Sequence, residues 1–205
     1  MFAKIRYAGK FIVLEGLDGS GQTTQVELLN DFLEQKGHSV ILTKEPTTDS
    51  ESGRIIRKVL DKEIIMEPGE LQKHYIQDRK EHLQNLIIPS LKEGKTVISD
   101  RYFFSTFAFG GINLDMDWLI SLNKEFIFPD IAIFLDVLPE VCIQRINKRG
   151  EGFKFFEKLE KLKKVRRNYV ILIERFLNFF AVDGELSPDR VFTRIKNILK
   201  KNCII

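Results

Sequence analysis

Residues 16–23, Gly-Leu-Asp-Gly-Ser-Gly-Gln-Thr, form a glycine-framed segment that constrains the fold more than any other stretch of the chain. An apolar run at residues 11–14 precedes the segment, and residues 24–29 follow it with the apolar spacing of a helix. Glycines let the backbone turn so that successive N–H groups point inward, and the start of the next helix adds partial positive charge. The segment therefore predicts a strand, a phosphate-binding loop and a helix, in that order.

The loop departs at one position from the usual pattern G-x-x-x-x-G-K-[ST], because Gln22 stands in place of the lysine. A glutamine amide donates two hydrogen bonds but carries no charge, so we expect Gln22 to keep a phosphate contact of reduced strength. The hydroxyl of Thr23 is a candidate ligand for Mg²⁺. A turn without a ligand is the alternative, which the intact flanking elements disfavour. The candidate phosphate-binding residues are Gly16, Asp18, Gly19, Ser20, Gly21, Gln22, Thr23 and Thr24.

Composition limits the class of protein. The chain has 205 residues, 43% of them hydrophobic, which favours one α/β domain over residues 1–205. A net charge of +3 does not require nucleic acid as a partner, and two cysteines make neither a disulfide framework nor a metal site. No stretch approaches the roughly 18 apolar residues of a membrane span, and the first residues lack the apolar region of a signal peptide. We therefore expect a cytoplasmic protein without a membrane or nucleic-acid partner.

Apolar runs alternate with helical segments along the chain. Five runs have the length of buried strands, at residues 11–14, 40–43, 96–99, 131–135 and 179–182. This alternation predicts a three-layer α/β/α fold with a five-stranded parallel sheet flanked by helices. Such a sheet binds its ligands beyond the carboxyl ends of the strands.

Polar residues follow four of the five runs, so we expect them at one edge of the sheet. They are Asp18, Lys44, Glu45, Asp100, Arg101 and Asp136, with Pro46 directly after Glu45. An apolar strand that ends in an Asp-Arg pair is unusual, and Asp100 is a candidate metal-organising carboxylate. Asp136 has a plainer alternative as a turn residue.

Tyr75 and Arg79 are four residues apart in a segment that reads as a helix, so they share one face. An aromatic ring beside a planar guanidinium could hold a nucleotide base by stacking and hydrogen bonds. A tyrosine at the rim of the core beside a solvated arginine is the alternative, and these two residues alone favour it.

Cations are dense between residues 144 and 169, and Gly150 and Gly152 interrupt them as two flexible joints. A basic segment with glycine joints suits a lid that closes over phosphates and excludes water, which we place around residues 146–156. Most of the later lysines fit a solvated helix. Arg145, Lys148 and Arg149 are near enough to the end of the fourth strand to contact phosphate.

Four blocks of sequence together resemble the thymidylate kinases of the nucleoside monophosphate kinase group of P-loop proteins, in their archaeal and bacterial forms. The blocks are FIVLEGLDGSG at residues 11–21, TKEP at 43–46, DRKEH at 78–82 and VISDRY at 97–102, followed by Ser105 and Ala108. The resemblance extends from about residue 11 to residue 199.

The resemblance implies an acceptor site for a pyrimidine nucleotide. Tyr75 is similar in position to the family's base-stacking phenylalanine, and Arg79 to the arginine at the base edge. Thr106 would lie near the pyrimidine, and Phe109 would crowd the 2′ position of the sugar. Arg101 matches the arginine that holds the acceptor phosphate. Glu45, Pro46 and Ser105 complete the implied substrate-binding residues.

The resemblance also implies roles in the transfer itself. Asp18 matches a carboxylate near the sugar 3′-hydroxyl and the metal. Gly19 stands where some members carry an arginine, so this chain resembles the subgroup whose catalytic arginine comes from the lid, with Arg149 first and Lys148 or Arg145 behind it. The implied catalytic residues are Asp18, Gln22, Arg101 and Arg149, the implied nucleotide-binding cations are Arg145 and Arg149, and the implied metal ligands are Thr23 and Asp100.

The resemblance implies transfer of the γ-phosphoryl group of ATP to dTMP, giving dTDP and ADP, with Mg²⁺ as cofactor and a homodimer as the assembly. Gln22 is expected to lower the rate. A nucleotide-binding homologue with impaired or regulatory function, and a kinase for another nucleoside monophosphate, stay open as alternatives.

Overall fold

The computed structural model describes residues 7–148 and 155–205. Its sheet has five strands, all parallel, in the order β2-β3-β1-β4-β5. The strands are β1 (Lys10–Gly16), β2 (Val40–Lys44), β3 (Thr96–Asp100), β4 (Ile131–Asp136) and β5 (Phe179–Asp183). Each contains one of the five predicted runs. The three inner strands, β1, β3 and β4, are buried over nearly their whole length, and strands covered on both faces read as continuous apolar sequence.

Helices connect the strands and cover both faces of the sheet. They are α1 (Gln22–Gln35), α2 (Glu51–Leu60), α3 (Pro68–His82), α4 (Ile88–Lys92), α5 (Phe103–Gly110), α6 (Met116–Leu122), α7 (Pro139–Asn147), α8 (Phe155–Arg175) and α9 (Pro188–Lys201). A π-helical turn at Leu83–Ile87 joins α3 to α4. The predicted three-layer α/β/α fold is confirmed. Within the described ranges, no helix is long and apolar enough to cross a membrane.

Two apolar clusters form the core, one on each face of the sheet. One face packs α1 and α9 against the strands through residues such as Leu29 and Ile195. The other face is rich in aromatic rings from α5, including Phe103, Phe104 and Phe107, none of which is exposed. Burying one such ring contributes about 1.5–3 kcal/mol, so α5 is held firmly against the sheet.

The central strand determines where the site lies. β1 pairs with β3 on one side and β4 on the other, and both neighbours come later in the chain. The strand order therefore reverses at β1, which opens a crevice beyond its carboxyl end. The loop at residues 17–21 and the start of α1 lie at that end, as the sequence predicts. Residues 149–154, most of the predicted lid, lie outside the described residues.

Candidate active site

The glycine loop is compact and leaves little room for side chains. Gly19 and Gly21 have φ values of +85° and +95°, a conformation that glycine adopts without strain. A Cβ at Gly16 would lie 2.4 Å from the hydroxyl of Ser20. That hydroxyl is buried and has no hydrogen-bond partner among the described residues. A buried unpaired hydroxyl is costly unless a ligand satisfies it, so the loop fits a polar ligand such as phosphate.

Gly19 packs against α7, which explains why the loop carries no arginine at this position. A Cβ at Gly19 would lie 2.7 Å from the backbone carbonyl of Cys142 and 3.0 Å from Ile146. Any side chain here would therefore displace α7 as well as strain the backbone. Position 19 therefore has no room for an arginine in this arrangement, and the lid arginine stays a prediction.

Gln22 folds back onto the ends of two strands. Its side-chain amide donates to the carbonyl of Leu14 at 3.0 Å and to Asp100 Oδ1 at 3.2 Å, and the residue is only 5% exposed. Both amide hydrogens thus have protein acceptors. Contact between Gln22 and phosphate stays a prediction, and the loop receives no positive charge from this side chain.

The two predicted metal ligands lie together. The Thr23 hydroxyl is 3.5 Å from Asp100 Oδ2. A hydroxyl and a carboxylate are the oxygen ligands that Mg²⁺ accepts, usually beside waters and substrate phosphates. Among the described residues, no group of three His, Cys, Asp or Glu side chains could form a cage for a metal. The pair therefore fits a metal that arrives with a nucleotide.

Arg101 joins the loop to the end of β3. Its guanidinium donates to the Gly16 carbonyl at 2.7 Å, to Asp18 Oδ1 at 2.9 Å and to the Ser105 hydroxyl at 3.1 Å. It also lies 5.4 Å from the centre of the Phe109 ring. Four residues that the sequence singled out are thus gathered around the guanidinium of Arg101.

The backbone and charge of Arg101 are both unusual. Its φ of +76° is rare for a residue with a side chain and is held by surrounding contacts. Burial alone lowers the pKa of Arg101, but the carboxylate of Asp18, with others nearby, raises it above its usual range. Arg101 therefore stays charged, as an anion-binding group requires.

Arg79 is buried, with 1% of its surface exposed, so the alternative of a solvated arginine is wrong. Its Nε and Nη2 lie 2.8 Å and 2.7 Å from Glu45 Oε2, and Nη2 donates to the Thr106 hydroxyl at 3.0 Å. Nη1 donates to Asn123. Arg79 thus ties the end of β2 to α5 and to the residue after α6.

Tyr75 lies one helical turn before Arg79 and is half-buried. Burial raises its pKa to about 12, so the ring is neutral at physiological pH. A neutral aromatic face is suitable for stacking on a base. Pro46, which follows Glu45 through a cis peptide bond, is also half-buried. Base binding by these residues stays a prediction.

The predicted cations near the lid occupy different surroundings. Arg145 donates to the carbonyls of Ser20 at 3.2 Å and Gly184 at 3.1 Å, and so links the loop to the segment after β5. Lys148 is exposed at the end of α7, and Arg149 lies outside the described residues.

Asp136 forms a two-point ion pair with Arg166, at 2.6 Å and 2.9 Å.

The sequence is similar to proteins of one known family. The family model for thymidylate kinase matches residues 14–195. The chain belongs to the thymidylate kinase family. A probable thymidylate kinase of Thermococcus onnurineus is 44% identical over 194 residues, which cover 90% of this chain and 94% of the relative. One from Pyrococcus horikoshii is 41% identical over 198 residues, covering 94% and 96%. A thymidylate kinase of Leptospira borgpetersenii is 35% identical over 195 residues, covering 94% of each chain.

Two buried polar residues near Arg79, Asn123 and His82, were not predicted from the sequence as site residues. Asn123 is fully buried, accepts from Arg79 and donates to the Leu119 carbonyl at 2.8 Å. His82 lies between Thr43 and Glu45, with its Nδ1 3.2 Å from Glu45 Oε1. His82 belongs to a recognised block, but no local pattern marks Asn123.

Glu15, the third unpredicted group, is fully buried at the end of β1. Its Oε1 accepts from the backbone N–H of Tyr102 at 2.9 Å, and its Oε2 accepts from the hydroxyls of Ser105 at 2.5 Å and Tyr169 at 2.9 Å. Its position directly after the apolar run at residues 11–14, within the recognised block at 11–21, was the available signal. Glu15 fixes the segment that presents Arg101 and Ser105.

We predict a pH-dependent contribution of Glu15 to stability. Burial raises its pKa to about 7 against a usual 4.5, although Ser105, Arg101 and Tyr169 act in the opposite direction. The folded protein therefore binds more protons than the unfolded chain between these values. The free energy of unfolding should fall by on the order of 3 kcal/mol as pH rises through that window.

Urea denaturation of the natural protein and of Glu15→Gln at pH 5, 6, 7 and 8 measures this contribution. The neutral amide does not titrate, so the variant should gain stability relative to the natural protein as pH rises. Glu93→Gln, which removes an exposed carboxylate, is the control and should leave the profile unchanged. Parallel profiles for Glu15→Gln and the natural protein would contradict the prediction.

Proposed function

We propose that the protein transfers the γ-phosphoryl group of ATP to dTMP, giving dTDP and ADP. Membership of the thymidylate kinase family supports this reaction. The observation that carries it is the position of Arg101, whose guanidinium contacts both the phosphate loop at Gly16 and the carboxylate of Asp18. A cation at this point lies between a donor site at the loop and an acceptor site along α3 and α5.

The acceptor is already an anion, so no strong general base is needed. Catalysis would rest on alignment and on positive charge around the transferring group. The backbone N–H groups of residues 16–23 would hold the donor phosphates, and Arg101 would hold the acceptor phosphate. Tyr75 would stack on the base, whereas Arg79, enclosed by Glu45, Thr106 and Asn123, would shape the base pocket from behind.

We further propose Thr23 and Asp100 as the residues that would hold Mg²⁺. When bound, Mg²⁺ neutralises charge on the donor phosphate oxygens. Asp18 is exposed and bonded to Arg101, so its proposed role is to orient that guanidinium toward the acceptor. Asp100 is fixed from the start of α1 by Gln22 and Thr23, which holds its carboxylate against the loop.

A coupled assay with ATP, Mg²⁺ and dTMP tests the reaction. We expect clear turnover by the natural protein and a higher rate for Gln22→Lys, which restores the usual lysine. Arg101→Gln, purified in the same way, controls for contaminating kinases. A protein that binds ATP and dTMP but shows no turnover at high enzyme concentration would instead be a nucleotide-binding homologue. Competition by other monophosphates would reveal a different acceptor.

Three features stay proposals. The chain is expected to form a homodimer, as the family resemblance implies. A cytoplasmic location and a lid around residues 146–156 with Arg149 as its catalytic cation are also retained. The hydrogen bonds of Arg145 to the Ser20 and Gly184 carbonyls favour a role in positioning the loop for this residue.

A further inference from the structure

Lys44, one of the charged residues predicted at the carboxyl edge of the sheet, brings an ammonium group from β2 to Asp100, the carboxylate that Gln22 and Thr23 also contact. It is the last residue of β2, and its Nζ lies 3.6 Å from Asp100 Oδ2. Its side chain is 55% exposed. The backbone of Lys44 is therefore fixed by the sheet, whereas its side chain remains accessible from solvent.

The register of the sheet explains how Lys44 reaches this point. Lys44 pairs with Asp100 across β2 and β3, and Asp100 pairs with Leu14 across β3 and β1. The three residues form one row at the carboxyl edge, with neighbouring strands about 4.8 Å apart. Gln22 donates to the carbonyl of Leu14 and to Asp100 in that same row. The loop position without a charge and the ammonium of Lys44 thus meet at one carboxylate.

The contacts of Asp100 divide between its two oxygens. Gln22 contacts Oδ1, whereas Thr23 and Lys44 both contact Oδ2. At 3.6 Å, the contact of Lys44 is longer than a normal hydrogen bond, and a lysine has a flexible four-carbon stem. The ammonium can therefore turn toward another anion without breaking a strong bond.

We propose that Lys44 supplies to the donor phosphates the positive charge that Gln22 lacks. The inference rests on the proposed function in taking ATP as the ligand of the loop. No loop residue other than Gln22 has to differ from the usual pattern, because the ammonium approaches from β2. Lys44 would act as a point charge at the site where a loop lysine acts in the usual pattern.

Four proteins measure the coupling between positions 22 and 44: the natural protein, Lys44→Gln, Gln22→Lys and the double variant. The measurement is ATP affinity by calorimetric titration in EDTA, so that neither turnover nor metal contributes. In the natural background, Lys44→Gln should weaken ATP binding by about tenfold to a hundredfold. In the Gln22→Lys background the loss should shrink to about threefold or less, because the loop then has its own lysine.

A second pair of proteins, Asp100→Asn with and without Lys44→Gln, distinguishes a contact of Lys44 with phosphate from simple neutralisation of Asp100. If Lys44 only masks that carboxylate, Lys44→Gln should have no effect on ATP affinity in an Asp100→Asn background. If Lys44 contacts phosphate, the substitution should still weaken binding there. Lys44→Arg, which retains the charge, should bind more tightly than Lys44→Gln.

Lys95→Gln is the matched control, because Lys95 also pairs with a nearby carboxylate, at 2.7 Å from Glu93, but lies at the opposite end of β3. It should leave ATP affinity unchanged. Equal losses from Lys44→Gln in the natural background and in the Gln22→Lys background would overturn the proposal, as would a loss that disappears in the Asp100→Asn background. Because affinity is measured without turnover, absence of dTMP kinase activity would contradict the proposed function while leaving this result interpretable.

Discussion

Replacing Arg79 with methionine is expected to lower the free energy of unfolding by about 3–5 kcal/mol. The substitution removes the cation that lies 2.7 Å from Glu45, and that carboxylate, 3% exposed, keeps His82 as its ion-pair partner among the described residues. It also removes the donors to Thr106 and Asn123. Equilibrium unfolding in urea measures the loss.

The loss of stability should come from the uncompensated charge of Glu45 and not from lost packing. The double variant Arg79→Met with Glu45→Met removes both charges of the pair and should be much more stable than the single variant, because a buried ion pair contributes little net stability. Lys73→Met is the control on the same helix. Its ion pair with Glu70 is exposed, so its stability should stay within about 0.5 kcal/mol of the natural protein. A single variant as stable as this control would contradict the prediction.

The architecture follows from local sequence patterns. Strands such as β1 and β4, covered on both faces, appear as unbroken apolar runs whose position can be read directly. The phosphate loop is equally local, because its glycines adopt positive φ angles that few other residues tolerate. Parallel connections then place the ends of β1, β2 and β3 at one edge without knowledge of any long-range contact.

The pairings inside the site depend on contacts that no local pattern contains. Gln22 meets Asp100 across 78 residues, and Arg79 meets Glu45 across 34. Glu15 meets Tyr169 across 154 residues. A helix that is polar on most faces gives no sign that one arginine will be enclosed, because enclosure depends on which segments pack above it. Residue types were therefore predictable at the site, whereas their hydrogen-bond partners were not.

Arg101→Gln is expected to lower kcat/KM for dTMP by about a hundredfold to a thousandfold, the usual cost of removing one preorganised electrostatic group. The guanidinium contacts three groups at once, and an amide has neither the charge nor the reach to replace them. Arg101→Lys keeps the charge but loses the planar fork, so it should recover only part of the activity. Initial rates at varied dTMP and fixed saturating ATP measure both variants.

Whether the loss appears in KM for dTMP, in kcat or in ATP affinity identifies the role of Arg101. If it holds the acceptor phosphate, KM for dTMP should rise and kcat should fall, whereas ATP affinity measured in EDTA should change little. Arg175→Gln removes an arginine that pairs with Asp117 across α6 and α8, and it should leave all three values unchanged. A loss of ATP affinity with an unaltered KM for dTMP would reassign Arg101 to the donor side of the site. Because Glu15 holds the backbone on which Arg101 is presented, circular dichroism of each variant should show an unchanged fold before the kinetic comparison is made.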